Sequence, residues 1–158
     1  MTQKNLNLFV LATGLILLGV VSRLSAHAWN FTIMGGLSVL CGAFFTRKWV
    51  SVAIIFTSLF ISDIVIGFHP QMPSVYLGFA LMIFIGALLK TKPSRLSVIA
   101  GAALGSFLFF VVTNFFVWLE GSLYPQVWNG LVECYTMAIP FYRNQLVADL
   151  VSTFVLFE

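Results

Sequence analysis

The sequence predicts an all-α integral membrane protein with about six transmembrane helices. Of its 158 residues, 60% are hydrophobic and only 8% are charged, and the mean hydropathy is +1.03. A soluble domain carries about 25% charged residues, so this composition cannot cover a surface that faces water. Each span needs roughly 20 apolar residues. The chain therefore has room for about six spans and for no soluble domain.

The first three predicted spans end at charged or proline-containing connections. The apolar run of residues 6–22 leads into Arg23, and the run of residues 31–46 ends at an Arg-Lys pair. The third run, residues 49–68, stops before a connection that contains two prolines. Proline interrupts helical hydrogen bonding, so this connection marks the end of a helix.

The last three predicted spans include the longest apolar run of the chain. Residues 74–90 end at a basic connection, and residues 96–119 form the longest run. The last span, residues 142–157, follows an irregular stretch and is interrupted by Asp149. Together the six spans make a single transmembrane domain over residues 1–158. We place all five prolines in connections, namely Pro70, Pro73, Pro93, Pro125 and Pro140.

The basic residues predict the orientation in the membrane. With the N-terminus in the cytoplasm, six basic residues fall in inner connections: Lys4, Arg47, Lys48, Lys90, Lys92 and Arg95. Only Arg23 and Arg143 then remain for the outer side, which satisfies the positive-inside rule. We predict a multi-pass protein with both termini in the cytoplasm. Because the basic residues are spread over many connections, they form no patch for a nucleic acid.

The N-terminus also has features of a secretory signal. Lys4, the apolar run of residues 8–21 and the segment Ala26-His27-Ala28 imitate the basic, apolar and cleavage regions of a signal peptide. Arg23 lies between the apolar run and the apparent cleavage site, which argues against cleavage. We therefore interpret this run as the first span.

A short amphipathic segment precedes the last predicted span. Between residues 126 and 139, apolar side chains recur at helical spacing, and Glu133 lies on the opposite face. The segment is too short to span the bilayer, so we expect a short interfacial helix in the last outer connection. It would serve either as a lid over a cavity or as an interfacial strut.

Polar residues within or beside the spans fall almost entirely in their outer halves. Ionisable groups inside a bilayer are costly, so those that remain are candidates for function. Asp149 shares a helical face with Gln145 and Ser152, and Asn114 shares one with Trp118. The other outer polar residues are Asp63 in the third span and Arg23, His27 and Asn30 in the first outer connection. We expect these groups to converge on a pocket that opens to the outside.

Structural explanations are available for most of the same residues. Asp63 would neutralise Arg23 or Arg143, while Asn114 and Gln145 would form hydrogen bonds between helices. The two histidines have no metal-binding spacing, so we expect no bound metal. The aspartates lie in no protease motif and no serine lies in a GxSxG-like setting, so we do not expect an enzyme.

Small residues indicate where helices approach each other closely. Gly101 and Gly105 form a GxxxG pattern in the fifth span, and Ser38 and Gly42 have the same spacing in the second. Such faces allow close contact between backbones. They would serve packing within the chain or, alternatively, docking onto another membrane subunit.

Several segments together resemble one family of small bacterial membrane proteins. The segments are Asn30-Phe31-Thr32, residues 112–118 (VTNFFVW), Tyr124-Pro125, residues 130–135, residues 138–144 and Asp149. That family is described as putative transport proteins of unknown function, related to the S components of energy-coupling-factor (ECF) transporters. The resemblance covers essentially the whole chain, and its most specific parts are the NFT and TNFFVW segments.

The resemblance implies a six-helix S-component-like bundle in the bacterial cytoplasmic membrane. Such a subunit would bind a vitamin-like or other small molecule from outside and work with a transmembrane T component and two ATPases. No cofactor would be bound, and ATP would be used by the partner subunits. The residues that the resemblance places at the site are Asn30, Asn114, Trp118, Tyr135, Arg143, Asn144 and Asp149. Further candidates are Arg23, His27, Asp63 and Glu133.

Two hypotheses follow from the sequence. In the first, the chain is the substrate-binding subunit of an ATP-powered importer. In the second, it is a non-transporting structural or assembly protein of the membrane, whose polar residues only hold helices together.

Overall fold

The computed structural model describes residues 2–25, 30–89 and 93–157, and these residues form six α-helices and no strands. The helices are α1 (Gln3–Leu24), α2 (Met34–Phe44), α3 (Lys48–Ile66), α4 (Met72–Leu88), α5 (Arg95–Glu120) and α6 (Trp128–Leu156). The all-α prediction is therefore confirmed over the described residues. The cleavage-like segment 26–28 and the inner Lys90 and Lys92 lie outside them.

Three helices, α1, α3 and α5, are long and apolar enough to cross a membrane. Their outward faces carry large apolar side chains, such as Phe9 and Val65, that are more than half exposed. A contiguous apolar surface of this kind is stable against lipid rather than water. The chain is therefore a membrane protein. The prediction of six full-length spans is not confirmed, because α2 has only 11 residues, α4 has 17, and α6 has 29 residues but is not among the helices apolar enough to span.

Helix α2 lies at the centre of the bundle. It contacts all five other helices, and every residue from Met34 to Gly42 is buried. At about 1.5 Å per residue, α2 is only about 16 Å long. Its apolar composition is thus explained by burial in protein, because the other helices surround it.

Glycines allow α2 and α4 to cross with their backbones in contact. A methyl group on Gly42 would collide with the carbonyl oxygen of Ile83, and one on Gly86 would collide with that of Val39. Gly101 and Gly105 in α5 face side chains of α4 and α2. The GxxxG pattern therefore serves packing within the chain, as the first of the two sequence interpretations proposed.

The predicted division of the last segment into an interfacial helix and a separate span is wrong. Helix α6 is continuous from Trp128 to Leu156, and Pro140 lies inside it. Proline has no N–H to donate to the carbonyl four residues earlier and its ring crowds that carbonyl, yet the helix continues through this position. Pro73 also lies within a helix, in the first turn of α4, where proline is well tolerated. The placement of these two prolines in connections is therefore corrected.

Basic residues at the starts of α3 and α5 mark one end of the bundle. At one end the start of α5 meets the last turn of α6, and the Arg95 guanidinium lies 4.7 Å from the centre of the Phe154 ring. At the same end the Lys48 ammonium donates a hydrogen bond of 2.7 Å to the Gly42 carbonyl at the end of α2. The opposite end holds the candidate functional site.

Candidate functional site

A cavity of about 430 Å³ occupies the end of the bundle where α1 and α5 finish and α2 begins. The α3–α4 connection and the middle of α6 complete its wall. Because α2 is short and starts deep in the bundle, space remains above its first turn. Asn30, Thr32 and Gly35 lead from this space into α2, and all three line the cavity. Asn30 has a positive φ of 59°, a conformation that asparagine tolerates better than most residues.

Aromatic rings form much of the cavity wall. Phe79 and Phe109 pack with their ring centres 4.9 Å apart, and Phe110 and Tyr142 with theirs 4.7 Å apart. Phe109 lies so close to Gly78 that a methyl group there would meet its ring. The cavity therefore offers two pairs of flat apolar surfaces on α4, α5 and α6.

Polar side chains line the remaining wall. They are Asn30, Thr32, His69, Gln71, Thr113, Asn114 and Gln145. The amide nitrogen of Asn114 donates to the Phe110 carbonyl at 2.8 Å, within its own helix. The Gln71 side chain donates to the Glu120 carboxylate, which links the α3–α4 connection to the end of α5. The cavity thus combines apolar surface with a few hydrogen-bonding groups.

Asp149 forms the floor of the cavity and is fully buried, with 0% exposure. One carboxylate oxygen accepts a hydrogen bond of 3.1 Å from the Gly36 amide, and the other accepts one of 2.6 Å from the Ser106 hydroxyl. Gly35 lies beside the carboxylate, since a methyl group on Gly35 would collide with it. Since the first amides of a helix have no partner within it, Asp149 caps the start of α2 from a distant part of the chain.

The rim of the cavity contains an ion pair. Arg23, at the end of α1, lies 2.7 Å from the Asp63 carboxylate of α3 through its Nη2 atom. The Tyr76 hydroxyl donates to the other Asp63 oxygen at 2.9 Å. Arg23 lines the cavity, whereas Asp63 and Tyr76 lie behind it. Asp63 therefore pairs with Arg23, as its structural explanation predicted.

Three of the seven residues assigned by resemblance line the cavity: Asn30, Asn114 and Asp149. Two others, Trp118 and Tyr135, donate hydrogen bonds to backbone carbonyls outside the cavity. The Trp118 indole donates to Pro125 at 3.0 Å, and the Tyr135 hydroxyl donates to Val111 at 2.6 Å. The structure does not bring these two side chains into the cavity wall.

The remaining candidates lie elsewhere. Arg143 and Glu133 are exposed. Neither of them lines the cavity, and Asn144 does not line it either. On α6 the lining residues recur near every third or fourth position, and Arg143 is six residues from Asp149, which turns it to another face. Of the further candidates, Arg23 lines the cavity, and His27 lies outside the described residues.

Most residues of the cavity wall were not predicted from the sequence, although the helical pattern of α5 indicates some of them. Phe109, Phe110, Thr113 and Val117 share one face of α5 with Asn114. Helical periodicity from Asn114 predicts Phe110 and Val117, which are four residues before it and three after it. His69 and Gln71 belong to a connection, and no periodicity points to them.

A family model matches almost the whole chain. The model of a family of unknown function (DUF6580) matches residues 3–158. No curated protein and no solved structure matches the chain.

Proposed function

The chain belongs to this family of unknown function, and we propose that it is a small-molecule-binding membrane subunit of an ATP-powered importer, similar to an ECF S component. The observation that carries the proposal is the cavity of about 430 Å³ at one end of the bundle. Ligand sites are typically concave, of about 300–1,000 Å³, and mostly apolar with a few polar groups that orient the ligand. The paired aromatic rings and the polar residues of this cavity fit that description.

We place the cavity end outside the cell and both termini in the cytoplasm. Arg47, Lys48 and Arg95 lie at the end of the bundle opposite the cavity, as the positive-inside rule favours for a cytoplasmic face. All six helices then cross the bilayer or its core. Helix α2 reaches only part of the way and is continued toward the outside by residues 30–33, of which Asn30 and Thr32 line the cavity.

A reporter fused after the C-terminus tests this orientation. An even number of crossings puts both termini on the same side, so a cytoplasmic reporter should be active and a periplasmic one inactive. Fusion of the same reporters into the α3–α4 connection, after Pro70, is the matched control and should give the reverse result. A periplasmic signal from the C-terminal fusion would contradict the six-crossing arrangement.

Energy for uptake would come from partners. The sequence has no GxxxxGK[ST] loop, so ATP would be hydrolysed by two ATPases coupled through a transmembrane T component. The partners would be recruited in the bilayer, and the bacterial cytoplasmic membrane is the expected location. This part of the proposal is supported by the resemblance of the NFT and TNFFVW segments to proteins related to S components.

A structural or assembly role is the second candidate, and particular contacts favour it. Asp149 joins α2, α5 and α6 through hydrogen bonds, and Arg23 joins α1 to α3 through Asp63. Contacts of this kind hold helices together and require no ligand. The two candidates differ in whether the cavity holds a molecule.

Substitution of Asn114 separates the two candidates. If the cavity binds a small molecule, protein purified from its native membrane should retain that molecule, which mass spectrometry identifies after denaturation. Asn114→Ala removes a polar group from the wall and should lower the retained amount about tenfold, as expected for the loss of one hydrogen bond to the ligand. Its only described side-chain hydrogen bond is within α5, so the fold should persist.

Arg143→Ala is the matched control. Arg143 is exposed and does not line the cavity, so this variant should retain as much of the molecule as the wild type. Equal retention by the Asn114 variant, or no retained molecule in the wild type, would favour the structural role.

A further inference from the structure

An apolar groove of about 370 Å³ lies beside the cavity, along the first turns of α6. From α6 it is lined by Trp128, Leu131, Val132, Tyr135, Thr136 and Ile139. Trp128, Val132 and Ile139 are all exposed. In the bilayer the groove is therefore open toward lipid.

The polar groups of the groove leave it an almost entirely apolar surface. The Tyr135 hydroxyl donates to the Val111 carbonyl at 2.6 Å, and the Thr136 hydroxyl donates to the Val132 carbonyl at 2.7 Å. Both hydroxyl hydrogens are thus used within the protein. A polar group that moved from water into such a groove would lose hydrogen bonds, whereas a hydrocarbon chain would lose none.

The cavity and the groove share a wall at Phe110, which lines both of them. The Phe110 ring packs edge-on against Tyr135 of the groove, with ring centres 5.4 Å apart, and against Tyr142 of the cavity at 4.7 Å. On α6 the boundary falls between two neighbours, because Ala138 lines the cavity and Ile139 lines the groove. Displacement of the Phe110 ring would therefore join the two spaces.

The Phe110 ring is better able to move than the tyrosine beside it. It is only partly buried and is held by contacts with other rings, and rotamers of partly exposed side chains change rapidly. Tyr135 is tied to α5 by its hydrogen bond to Val111. The wall of the groove would thus stay in place while the ring of Phe110 turns.

The shared wall lies at the depth of lipid chains. Phe110 is about 15 Å along α5 from Glu120, where the helix ends. With the cavity end outside, this distance puts Phe110 inside the hydrocarbon core, which is about 30 Å thick. The groove then runs from this depth toward the outer surface, beside the chains of the outer leaflet.

We propose that the cavity and the groove form one site for an amphiphile, with its polar group in the cavity and its apolar chain passing Phe110 into the groove. This inference rests on the proposed function and names the chemical class of its ligand. Asn114 and Gln145 line the cavity and can form hydrogen bonds with the polar group. A molecule of this class dissolves in the membrane and reaches the site from lipid.

A photoreactive amphiphile tests where the chain lies. The probe is 4-octylbenzamide with a diazirine near the end of its octyl chain, so that the benzamide is the group for the cavity. Purified protein is irradiated with the probe, and the cross-linked residues are mapped by mass spectrometry. We expect the cross-links to concentrate in residues 128–139 and to be lost when an excess of 4-octylbenzamide without the diazirine is present.

A variant that fills the cavity shows whether the two spaces act together. Val117 lines the cavity but not the groove, so Val117→Phe reduces only the space for the benzamide. The cross-links in the groove should be lost in this variant. Val151→Phe adds the same ring at an exposed position of α6 and should preserve them. A chain that coats the groove as a membrane lipid does would be cross-linked in both variants.

Variants that fill the groove test the same arrangement with the native molecule. Leu131→Trp and Ile139→Trp enlarge side chains that line the groove but not the cavity. Each should lower the amount of molecule retained by protein purified from its native membrane. Met137→Trp is the control, because Met137 is exposed on the same helix and lines neither space.

The outcomes distinguish this inference from the proposed function. Cross-links confined to cavity residues, cross-links spread over all lipid-facing helices, cross-links that persist in the Val117 variant, or no cross-links that the excess compound removes would each overturn the inference. Undiminished retention by both groove variants would also overturn it. Retention of a native molecule that depends on Asn114 would still support the proposed function in each of those cases.

Discussion

Replacing Asp149 by alanine should cause a large loss of stability. The substitution leaves the buried Gly36 amide without its acceptor, at about 1–3 kcal/mol for an unpaired group. It also breaks the bond between α5 and α6 from Ser106, whose hydroxyl keeps only the Ala102 carbonyl of its own helix as an acceptor. Since α2 contacts every other helix, the loss should appear as a lower free energy of unfolding of the whole bundle, measured by denaturant titration in detergent.

Two control variants test this explanation. Asp149→Asn keeps one acceptor oxygen for Gly36, and its amide can donate to the Ser106 oxygen, so it should lose clearly less stability than the alanine variant. Val151→Ala shortens a side chain that is half exposed on the same helix and should have little effect. Equal stability of the alanine variant and the wild type would show that Asp149 does not anchor α2.

Replacing Gly42 by alanine should disrupt the crossing of α2 and α4. The added methyl group would overlap the Ile83 carbonyl and crowd the Ala87 amide nitrogen at 3.1 Å. Both are backbone atoms of a helix, so no rotamer change relieves the collision. Overpacking of this kind typically costs about 1–3 kcal/mol and sometimes more. The melting temperature in detergent should fall accordingly.

Gly14→Ala is the matched control for this collision. Gly14 lies inside α1, and a methyl group there would meet nothing within 4 Å. Alanine in a helix interior is favoured over glycine by about 0.5–1 kcal/mol, so this variant should be unchanged or slightly more stable. A Gly42 variant that behaves like the Gly14 variant would contradict the close approach of the two helices.

The membrane class and the polar face of α6 could be predicted from sequence because both depend on composition and periodicity. Gln145, Asp149 and Ser152, predicted to share a face, are all buried. The length of α2 could not be predicted in the same way. A hydropathy profile does not distinguish a helix that faces lipid from one surrounded by other helices, since both are apolar.

The site was harder to predict than the fold because it depends on which faces of several helices meet. Arg143 was favoured over Arg23 as the cation of the site, but the helical turn directs Arg143 away from Asp149. Pro140 suggested a break in the chain, whereas the helix continues through it. These differences arise from tertiary packing, which single-sequence periodicity does not contain.

Filling the cavity with a larger side chain shows whether the cavity holds a small molecule. Val117 lines the cavity, so Val117→Phe adds a ring within that space. Val151→Phe makes the same change on the exposed face of α6. Both variants and the wild type are purified from the native membrane, and the small molecules retained by each are measured. We predict that the wild type and the Val151 variant retain the same molecule and that the Val117 variant has lost it. Undiminished retention by a folded Val117 variant would show that the molecule does not bind in this cavity.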